Sequence, residues 1–262
     1  MNPNPFSQYQ YRCKLDWGQR AAIQAAERGD IIVVVDTLSF STAVACAVHQ
    51  GGVVYPCAKT EDAATFARRI GGEAAMNRRD VPQKGRFSLS PGTYLGLESG
   101  TKIVLPSPNG ATCSRLSRAV PYLFAGALVN AAAVANAVSQ VLSTTDLSVT
   151  IIACGEQWLM PSEEGQLRVA IEDYLGAGAI LSYLDYEKSP EARVCQGSFQ
   201  SVQNDLEEII WDCGSGRELR EAGFEADVRY ALQLNLLDSV PVMRGECFEK
   251  FSGDICSDVG LI

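Results

Sequence analysis

Histidine is almost missing from this chain of 262 residues, in which His49 stands alone. It falls in the last turn of a predicted helix, just before two glycines, where its charge would complement the helix dipole. We interpret His49 as structural. A Ser-His-Asp triad, a histidine phosphatase and a His-rich dinuclear metal centre need histidines that the chain does not have. These three classes of site are therefore excluded.

Paired cysteine motifs are also missing. The chain has nine cysteines, an odd number, with scattered spacings and no C-x-x-C pair, so neither a disulfide framework nor a zinc cluster is expected. Most lie in apolar or helical contexts, where a reduced cysteine behaves as a small hydrophobic residue. The cysteines are Cys13, Cys46, Cys57, Cys113, Cys154, Cys195, Cys213, Cys247 and Cys256.

Positive charge and long apolar runs are scarce. The formal net charge is −9, which argues against nucleic acid or an anionic membrane surface as a partner. No run approaches the ~18 to 20 apolar residues of a membrane-spanning helix. The first residues, MNPNPFSQYQYRCKLDW, have neither a basic start nor an apolar segment that would indicate export. We therefore expect a cytoplasmic protein that binds neither membranes nor nucleic acid.

Three familiar phosphate-handling motifs are missing too. No Gly-rich segment ends in Gly-Lys-Ser or Gly-Lys-Thr, as a P-loop does, and no cysteine has an arginine at C-x5-R spacing. An aspartyl-phosphate enzyme of the haloacid dehalogenase type needs a second aspartate two residues after the first. Leu38 occupies that place after Asp36.

The chain does contain alternating strand-like and helix-like segments, which are typical of an α/β fold. Strands are predicted at 31–35, 52–56, 102–105, 121–125 and 148–153, with a weaker one near 240–243. Helices are predicted at 17–28 (capped by Asp16 with Gln19), 61–70 (capped by Thr60), 131–142 (capped by Asn130) and 216–222 (capped by Ser215 with Glu218).

The first of these strands, IIVVV, is apolar on both faces and so belongs in the middle of a sheet covered by helices. We expect a three-layer α/β/α fold with a mostly parallel central sheet, a mixed sheet being the alternative. No linker or low-complexity tract divides the chain. We therefore expect one domain over residues 1–262, with the segment from about residue 190 as a candidate C-terminal subdomain.

Polar residues follow the predicted strands where an α/β sheet binds its ligands, outside the strand carboxyl ends. Asp36 ends the first strand, and a helix beginning near Ser41 and Thr42 would direct N–H groups and hydroxyls at an anion. The alternative is plain helix capping. Capping alone does not need an aspartate at the end of a doubly buried strand, so we favour a functional role.

The third strand ends in PSPNGATCSRL, a rigid loop ahead of another helix. Ser107 is a polar residue of this loop, and Asn109-Gly110 permits a left-handed turn. An ordinary turn is the alternative interpretation. The fifth strand ends at ACGEQW, which places Glu156 at the rim. The helix after it holds Glu172 and Asp173, about 100° apart on the helix surface. Either one of this pair faces solvent, or the two straddle an edge that faces the crevice.

The four carboxylates Asp36, Glu156, Glu172 and Asp173 have the oxygen-ligand chemistry that Mg²⁺ prefers. Two helix N-termini nearby would supply a pocket for an oxyanion. The residues by themselves suggest a metal-assisted phosphoryl or acyl hydrolase.

A set of segments resembles the 2-phosphosulfolactate phosphatases, Mg²⁺-dependent enzymes of coenzyme M biosynthesis. The segments occur in that family's order, from the first strand to SVPV near residue 242. They are VVVDTLSFSTAVACAV, GGEAAMNRR, LSPGTY, IVLPSPNGAT, GALVNAAAVA, IIACGEQW and AIEDYLGAGAIL. The resemblance implies the fold, the phosphatase activity and the Mg²⁺ dependence, and it carries Asp36, Glu73, Ser90, Asn109, Gly110, Gly155, Glu172 and Asp173 over as family positions.

The chain departs from the family pattern at three places. Many members read Asn-Ser-Pro where this chain has Leu89-Ser90-Pro91, and Thr-Thr-Asn-Gly where it has Ser107-Pro108-Asn109-Gly110. The third departure removes a charge. Many members have an arginine shortly after the first aspartate, where this chain reads Ser39-Phe40. An arginine there is an obvious phosphate ligand. Arg78 or Arg79 is a candidate replacement, and the alternative is that both are solvated loop residues.

The favoured hypothesis is a Mg²⁺-dependent phosphatase that hydrolyses 2-phosphosulfolactate or a related small phosphorylated hydroxy acid, with a homodimer as a candidate assembly. A non-catalytic anion-binding or regulatory module is the alternative, and a hydrolase of non-phosphate esters is a weaker third. The predicted catalytic residues are Asp36, Glu172 and Asn109; the phosphate-binding residues are Ser41, Thr42, Ser107, Gly110 and Arg78; the metal ligands are Asp36, Glu156 and Asp173.

Overall fold

The structure is a computed structural model that describes residues 4–162 and 165–253. The strands in these residues are β1 (Cys13–Trp17), β2 (Ile31–Val35), β3 (Val53–Cys57), β4 (Glu73–Ala74), β5 (Lys102–Pro106), β6 (Leu123–Gly126), β7 (Val149–Ala153), β8 (Glu156–Ser162), β9 (Gly165–Arg168), β10 (Pro241–Arg244) and β11 (Cys247–Lys250). The helices are α1 (Gly18–Glu27), α2 (Phe40–His49), α3 (Ala63–Ile70), α4 (Gly110–Leu116), α5 (Ala131–Thr144), α6 (Ile171–Ser182), α7 (Pro190–Val202), α8 (Leu206–Asp212), α9 (Gly214–Glu221) and α10 (Glu225–Ala231).

Nine of these strands form one mixed sheet in the order β1-β7-β2-β6-β10-β11-β3-β5-β4. Strands β1, β7, β2 and β6 form one parallel group, and strands β3, β5 and β4 form another. The antiparallel hairpin β10–β11 lies between the two groups and pairs antiparallel with β6 and with β3. Strands β8 and β9 form a separate two-stranded ribbon. The expected α/β class is confirmed, in its mixed form.

Strand β2 shows why the sheet is covered on both faces. Ile31, Val33 and Val35 face a core shared with α5, α6 and α7. Ile32 and Val34 face the opposite core, shared with α1, α2 and α4. All five side chains are fully buried. A strand that is apolar at every position can only sit in such a layer, and the predicted three-layer architecture is confirmed.

The six predicted strands are present with ends shifted by at most two residues. Strand β1 was missed because CKLDW carries two charged residues in five. Lys14 in that strand is buried, since its ammonium meets the Asp30 carboxylate at 3.0 Å. Asp16 was predicted to cap the first helix, and this is wrong. Asp16 lies within β1, and its carboxylate accepts from the adjacent N–H of Trp17.

Two of the other predicted caps were also wrong, and Asn130 is the N-cap residue of α5 as predicted but makes no side-chain cap hydrogen bond. Helix α3 is capped by Asp62 rather than Thr60, and α9 by the sulfur of Cys213 rather than by Ser215. The amide of Asn130 precedes α5 but accepts from the N–H of Ala127, so it holds the turn before the helix. In α3 and α9 the side chain that caps the helix lies two residues from the predicted one.

A buried ion cluster closes the amino end of β2. The Asp30 carboxylate accepts from Lys14 at 3.0 Å and from Thr150 at 2.7 Å, and one of its oxygens lies 2.8 Å from the Arg28 guanidinium. Burial lowers the pKa of Lys14, and the nearby charge of Asp30 opposes that shift. Because Lys14 lies on β1 and Thr150 on β7, these contacts link both strands to the start of β2.

The C-terminal third rejoins the main body. Helices α7 and α8 contribute Ala192, Phe199 and Ile210 to the same core as β2, and β10 contributes Val242. The division of the chain into a domain and a subdomain from about residue 190 stays a prediction. Among the described residues, no helix is long and apolar enough to cross a membrane.

His49 and the cysteines lie where the sequence placed them. His49 is the last residue of α2, with Nδ1 3.5 Å from the exposed carboxylate of Asp238. The eight described cysteines are free thiols, and Cys256 lies outside the described residues.

Candidate active site

The loops after β2, β5 and β7 and the first turn of α6 converge at one edge of the sheet. They carry Asp36, Ser107, Glu156 and the Glu172-Asp173 pair. Strands β2 and β5 are not neighbours in the sheet, yet α4, which follows β5, brings its first residue back to Asp36. The structure therefore brings together carboxylates from three separate parts of the sequence.

Asp36 is 5% exposed and is fixed by donors from two helices. One carboxylate oxygen accepts from the N–H of Phe40 at 3.1 Å, at the start of α2. The other accepts from the N–H of Gly110 at 2.9 Å, at the start of α4, and from the Ser107 hydroxyl at 3.4 Å. The two helix N-termini that the sequence suggested as an oxyanion pocket thus serve the carboxylate itself.

This approach requires glycine at position 110. A Cβ there would lie 2.3 Å from Cδ1 of Phe40 and 2.8 Å from the carboxylate oxygen of Asp36. Both distances are below the closest contacts that Cβ atoms make, so any side chain would displace Asp36 or the Phe40 ring. Gly110 therefore acts by allowing its backbone to reach Asp36.

Glu172 and Asp173 are both buried, at 2% and 3% exposure, so the second of the two alternatives is the one observed. Asp173 accepts from the N–H of Thr37 at 2.7 Å with one oxygen and from the N–H of Gly155 at 2.9 Å with the other. It thereby ties the loop after β2 to the loop after β7. Glu172 accepts from the thiol of Cys213 at 3.4 Å, and within residues 4–162 and 165–253 no backbone N–H donates to its carboxylate.

Glu156 begins the ribbon β8–β9 and is half-buried. One of its oxygens accepts from the side-chain amide of Asn109 at 2.9 Å. Burial raises the pKa of Glu156 to about 7, the charge of Asp36 adds to the rise, and the hydrogen bond from Asn109 opposes it. A carboxyl group with this pKa exchanges protons readily near neutral pH.

The four carboxylates repel one another. Burial raises the pKa of Asp36, and the charge of Glu172 adds to that rise against the opposing backbone hydrogen bonds. Burial also raises the pKa of Asp173 well above its ordinary value, followed by the charges of Asp36 and Glu172. Among the ion pairs of the described chain, none joins a lysine, arginine or histidine to any of the four. The charge of Arg168 lowers the pKa of Glu156 to a lesser extent, so among the described residues the negative charge of the site is only partly offset.

This donor set fits Mg²⁺ in its chemistry, because all of its donors are hard oxygens and no ion pair within the described residues neutralises their charge. Within residues 4–162 and 165–253, no three His, Cys, Asp or Glu side chains are arranged to hold a metal ion by themselves. The predicted ligands Asp36, Glu156 and Asp173 therefore do not form a ready-made cage. Mg²⁺ commonly uses one or two carboxylates together with water and substrate phosphate, which this site can offer.

The hydroxyls of Ser41 and Thr42 are fully buried and already committed. Ser41 donates to the carbonyl of Val34 at 2.9 Å and accepts from the N–H of Asp36 at 3.0 Å. Thr42 donates to the carbonyl of Thr37 at 2.8 Å. Both side chains hold the loop that presents Asp36, so the structure does not direct either hydroxyl proton at a ligand.

Arg78 lies close to the position where many family members carry an arginine. Its guanidinium donates to the hydroxyl of Ser39 and, through Nε, to the carboxylate of Asp227 at 2.7 Å. The same carboxylate accepts from the hydroxyl of Ser90 at 2.7 Å. Asp227, on α10, was missed in the sequence because it lies far downstream in a segment with no motif, and the sequence offered no signal for it.

Two other family positions lie apart from the carboxylates or act through the backbone. Glu73 on β4 pairs with Arg86 in a largely solvent-accessible position. Gly155 has a positive φ of 66° and donates its N–H to Asp173. Arg79 is exposed.

Comparison with known proteins identifies the family of this chain. Residues 19–246 match the 2-phosphosulpholactate phosphatase family, which is most of the chain. The chain belongs to this family. It is 33% identical over 215 residues to a probable 2-phosphosulfolactate phosphatase from Carboxydothermus hydrogenoformans, covering 80% of this chain and 84% of the relative. It is 26% identical over 227 residues to the 2-phosphosulfolactate phosphatase of Methanocaldococcus jannaschii, covering 82% of this chain and 90% of the relative.

The resemblance stated from the sequence motifs is therefore confirmed. A 2-phosphosulfolactate phosphatase from Methanothermobacter thermautotrophicus is 28% identical over 228 residues, covering 86% of this chain and 92% of the relative. These matches span nearly the full length of the family members, so the site described above lies within the shared region.

The raised pKa of Glu156 predicts a pH-dependent cost to stability. The folded pKa is about 7 against an ordinary 4.5, so the folded state holds a proton that the unfolded state loses between these values. The contribution of Glu156 is most favourable below pH 4.5 and declines as pH rises to about 7, by roughly 3 kcal/mol. We expect Glu156→Gln to raise the free energy of unfolding relative to wild type by about this amount between pH 5 and pH 8.

The measurement is urea unfolding of both proteins in EDTA at the two pH values. Glu208→Gln, at an exposed position on α8, is the matched control and should follow wild type. A wild-type protein and a Glu156→Gln variant whose stabilities change in parallel with pH would contradict the assignment.

Proposed function

We propose that this protein is a Mg²⁺-dependent phosphatase that hydrolyses 2-phosphosulfolactate, or a related small phosphorylated hydroxy acid, to the alcohol and inorganic phosphate. Membership of a family whose relatives bear that name supports a phosphoric monoester hydrolase. The observation that carries the proposal is the cluster of four carboxylates at Asp36, Glu156, Glu172 and Asp173. Three of them are buried and Glu156 is half-buried, three have raised pKa values, and none forms an ion pair within the described residues.

Asp36 is the residue on which this proposal depends most. Its two oxygens are held by N–H groups of α2 and α4, so the carboxylate has one orientation. A fixed carboxylate at this point can attack phosphorus, accept a proton from water or hold a metal ion. Each of these three roles requires the charge of Asp36.

Glu156 is suited to proton transfer in the same reaction. The oxygen of water forms a new bond to phosphorus, the bond from phosphorus to the alcohol oxygen breaks, and one proton passes from water to that oxygen. A carboxyl group with a pKa of about 7 can both accept and return this proton near neutral pH. Asn109 orients the group through its hydrogen bond.

Asp36, Glu172 and Asp173 are the residues that would hold Mg²⁺, which leaves Glu156 to transfer the proton. Each oxygen of Asp36 and of Asp173 accepts a backbone N–H, so both carboxylates would bind the ion through their remaining lone pairs. When bound, Mg²⁺ would offset the charge of the carboxylates and polarise the phosphate group. The carboxylates of this chain would contribute an excess of negative charge in a largely buried pocket, and this charge favours the binding of a cation.

Phosphate release from 2-phosphosulfolactate tests the proposal directly. We expect release with Mg²⁺ and its loss, by on the order of 100-fold or more, when EDTA removes the metal, because the carboxylates would then repel the anionic substrate. Restoring excess Mg²⁺ to the same sample is the control for irreversible damage. Equal rates with Mg²⁺ and with EDTA would reject the metal dependence.

The same assay separates the alternative function. A non-catalytic module would bind phosphate or a sulfonate, as measured by calorimetry, and release no phosphate from any member of a panel of phosphorylated hydroxy acids. That outcome would replace the phosphatase assignment by an anion-binding one.

A further inference from the structure

Arg168, on β9, is a cationic residue at the edge of the carboxylate cluster. Its Cα pairs with that of Glu156 across the ribbon β8–β9. Residues directly opposite each other in an antiparallel pair direct their side chains to the same face, with Cβ atoms about 5 Å apart. Burial raises the pKa of Glu156 and the charge of Arg168 lowers it, so the guanidinium acts on this carboxylate. Arg168 therefore shares the face of the ribbon that carries Glu156.

The residue before Arg168 shows where the other face of the ribbon lies. The side chain of Leu167 packs against Gly18, at the start of α1, and against Gly155, just before β8. Successive side chains of a strand point to opposite faces, so Arg168 points away from these two glycines. Its guanidinium reaches the start of α9, where it donates to the hydroxyl of Ser215 at 3.4 Å.

The turn that Arg168 reaches also contacts the carboxylate cluster. Cys213 lies two residues before Ser215, and its thiol donates to Glu172 at 3.4 Å. Its sulfur also accepts from the N–H of Gly216 at 3.3 Å, which fixes the turn to α9. Arg168 and Glu172 thus contact the same three-residue turn, 213–215. Together with the pairing to Glu156 across the ribbon, this places the guanidinium beside two of the four carboxylates.

Arg168 differs from Arg78 in how its charge is balanced. Arg78 pairs with the carboxylate of Asp227 at 2.7 Å. Within residues 4–162 and 165–253, Arg168 donates one hydrogen bond, to a neutral hydroxyl, and takes part in no ion pair. Its guanidinium carbon lies 5.9 Å from the ring centre of Trp158, so an aromatic ring flanks the group. Arg168 therefore keeps both charge and N–H donors for a ligand.

A phosphate ester that approaches this edge of the sheet adds negative charge to a site that already holds four carboxylates. Repulsion opposes its binding unless positive charge lies close by. A guanidinium meets this need with directional donors, because its planar fork of N–H groups matches two oxygens of a phosphate. Arg168 is half-buried, so its charge is less screened than that of an exposed side chain and still accessible to a ligand.

We propose that Arg168 binds the phosphate group of the substrate, donating N–H groups to its oxygens while Ser215 and Trp158 hold the guanidinium in place. This proposal rests on the proposed phosphatase function and adds a substrate-binding residue to it. Arg168 offsets charge on the phosphate oxygens and holds the group in one orientation at the carboxylate cluster. Both effects act on the bound ester and on the transition state.

Phosphate release from 2-phosphosulfolactate in saturating Mg²⁺ tests the proposal in variants of Arg168. We expect Arg168→Ala to lower kcat/KM by about 100-fold or more. Arg168→Lys keeps the charge without the fork and should recover about tenfold of that loss. Guanidinium ion, added at concentrations far below those that unfold proteins, should raise the rate of Arg168→Ala but not of wild type. Inorganic phosphate should inhibit Arg168→Ala about tenfold more weakly than wild type.

Arg193→Ala is the matched control, because it removes the same side chain from an exposed position on α7 and should behave as wild type. Near-ultraviolet circular dichroism compares the folding of the variants. Wild-type kcat/KM in Arg168→Ala would overturn the role of Arg168 and leave the phosphatase function intact. A loss that neither Arg168→Lys nor guanidinium ion reverses, with unchanged inhibition by phosphate, would overturn it too, since Arg168 would then only support the ribbon.

Binding measurements decide the matter if wild type releases no phosphate from any ester, in which case the phosphatase function itself fails. Isothermal titration calorimetry with inorganic phosphate and Mg²⁺ then compares wild type, Arg168→Ala and Arg193→Ala without turnover. Support would be an approximately tenfold weaker affinity of Arg168→Ala alone. Equal affinities of the three proteins, or no binding of phosphate by wild type, would overturn the role of Arg168.

Discussion

Replacement of Asp36 by Asn is expected to lower kcat for phosphate release from 2-phosphosulfolactate by on the order of 10³-fold or more. The carboxamide keeps the size of the side chain but removes the charge that attack, proton acceptance and metal binding all require. Stability should change by about 1 kcal/mol or less, because two effects oppose each other. One N–H loses its acceptor, while a buried carboxylate repelled by Glu172 is removed.

Activity of the Asp36→Asn variant is measured with saturating Mg²⁺, and its folding by near-ultraviolet circular dichroism and urea unfolding. A variant that keeps more than about one tenth of the wild-type rate would remove Asp36 from the reaction. A variant that is inactive and also unfolded would be replaced by Asp36→Glu, which keeps the charge and displaces it by one methylene group.

Replacement of Asp30 by Asn, at the other end of the same strand, is expected to lower stability and to leave activity unchanged. The change leaves the ammonium of Lys14, which is 2% exposed, without its counter-charge, and weakens the contacts to Arg28 and Thr150. Breaking a buried pair on one side costs about 3 kcal/mol or more in free energy of unfolding. Activity at a temperature where the variant is folded should match wild type.

Urea unfolding at pH 7 measures this loss, and phosphate release measures the retained activity. Adding Lys14→Met to Asp30→Asn should recover part of the stability, since it removes the unpaired ammonium. A loss below about 1 kcal/mol for Asp30→Asn alone would mean that water replaces the carboxylate as a partner of Lys14. If both predictions hold, the two variants together would show that Asp36, after the end of β2, is needed for activity, and that Asp30, before its start, is needed for stability.

The central strand and its exit could be predicted because they depend on local pattern. Five consecutive apolar residues and a following aspartate are sufficient to place Asp36 at a ligand-binding edge. The clustering of Asp36 with Ser107, Glu156 and the pair on α6 also followed from strand exits meeting at one edge. The fold class depended on the same information.

The contacts that decide what each residue does were not predictable in this way. Asp173 and Glu172 are adjacent and chemically alike, yet one ties two loops together and the other remains available. The partner of Arg78 lies 149 residues downstream, on a helix with no motif. Such roles depend on long-range packing, which composition and spacing do not encode for a single sequence.

The same limit explains the errors in the fold. The caps of α3 and α9 were misassigned because several polar residues compete within two positions of each helix start. Strand β1 was missed because its charge is buried by a partner 16 residues away. In each instance a neighbour in space outweighed the local preference.

The hairpin β10–β11 has a consequence for how the protein is made. It joins β6 to β3 in the sheet, so until residue 250 has been synthesised the sheet exists as two pieces, each with an unpaired edge. At about 5 to 20 residues per second, a ribosome needs roughly 6 to 25 seconds to travel from the end of β6 to the end of β11. Open strand edges favour pairing with other chains during that interval. Asp36 belongs to one piece and Ser107 to the other, so the pairing of β10–β11 with both pieces also unites the two halves of the catalytic edge.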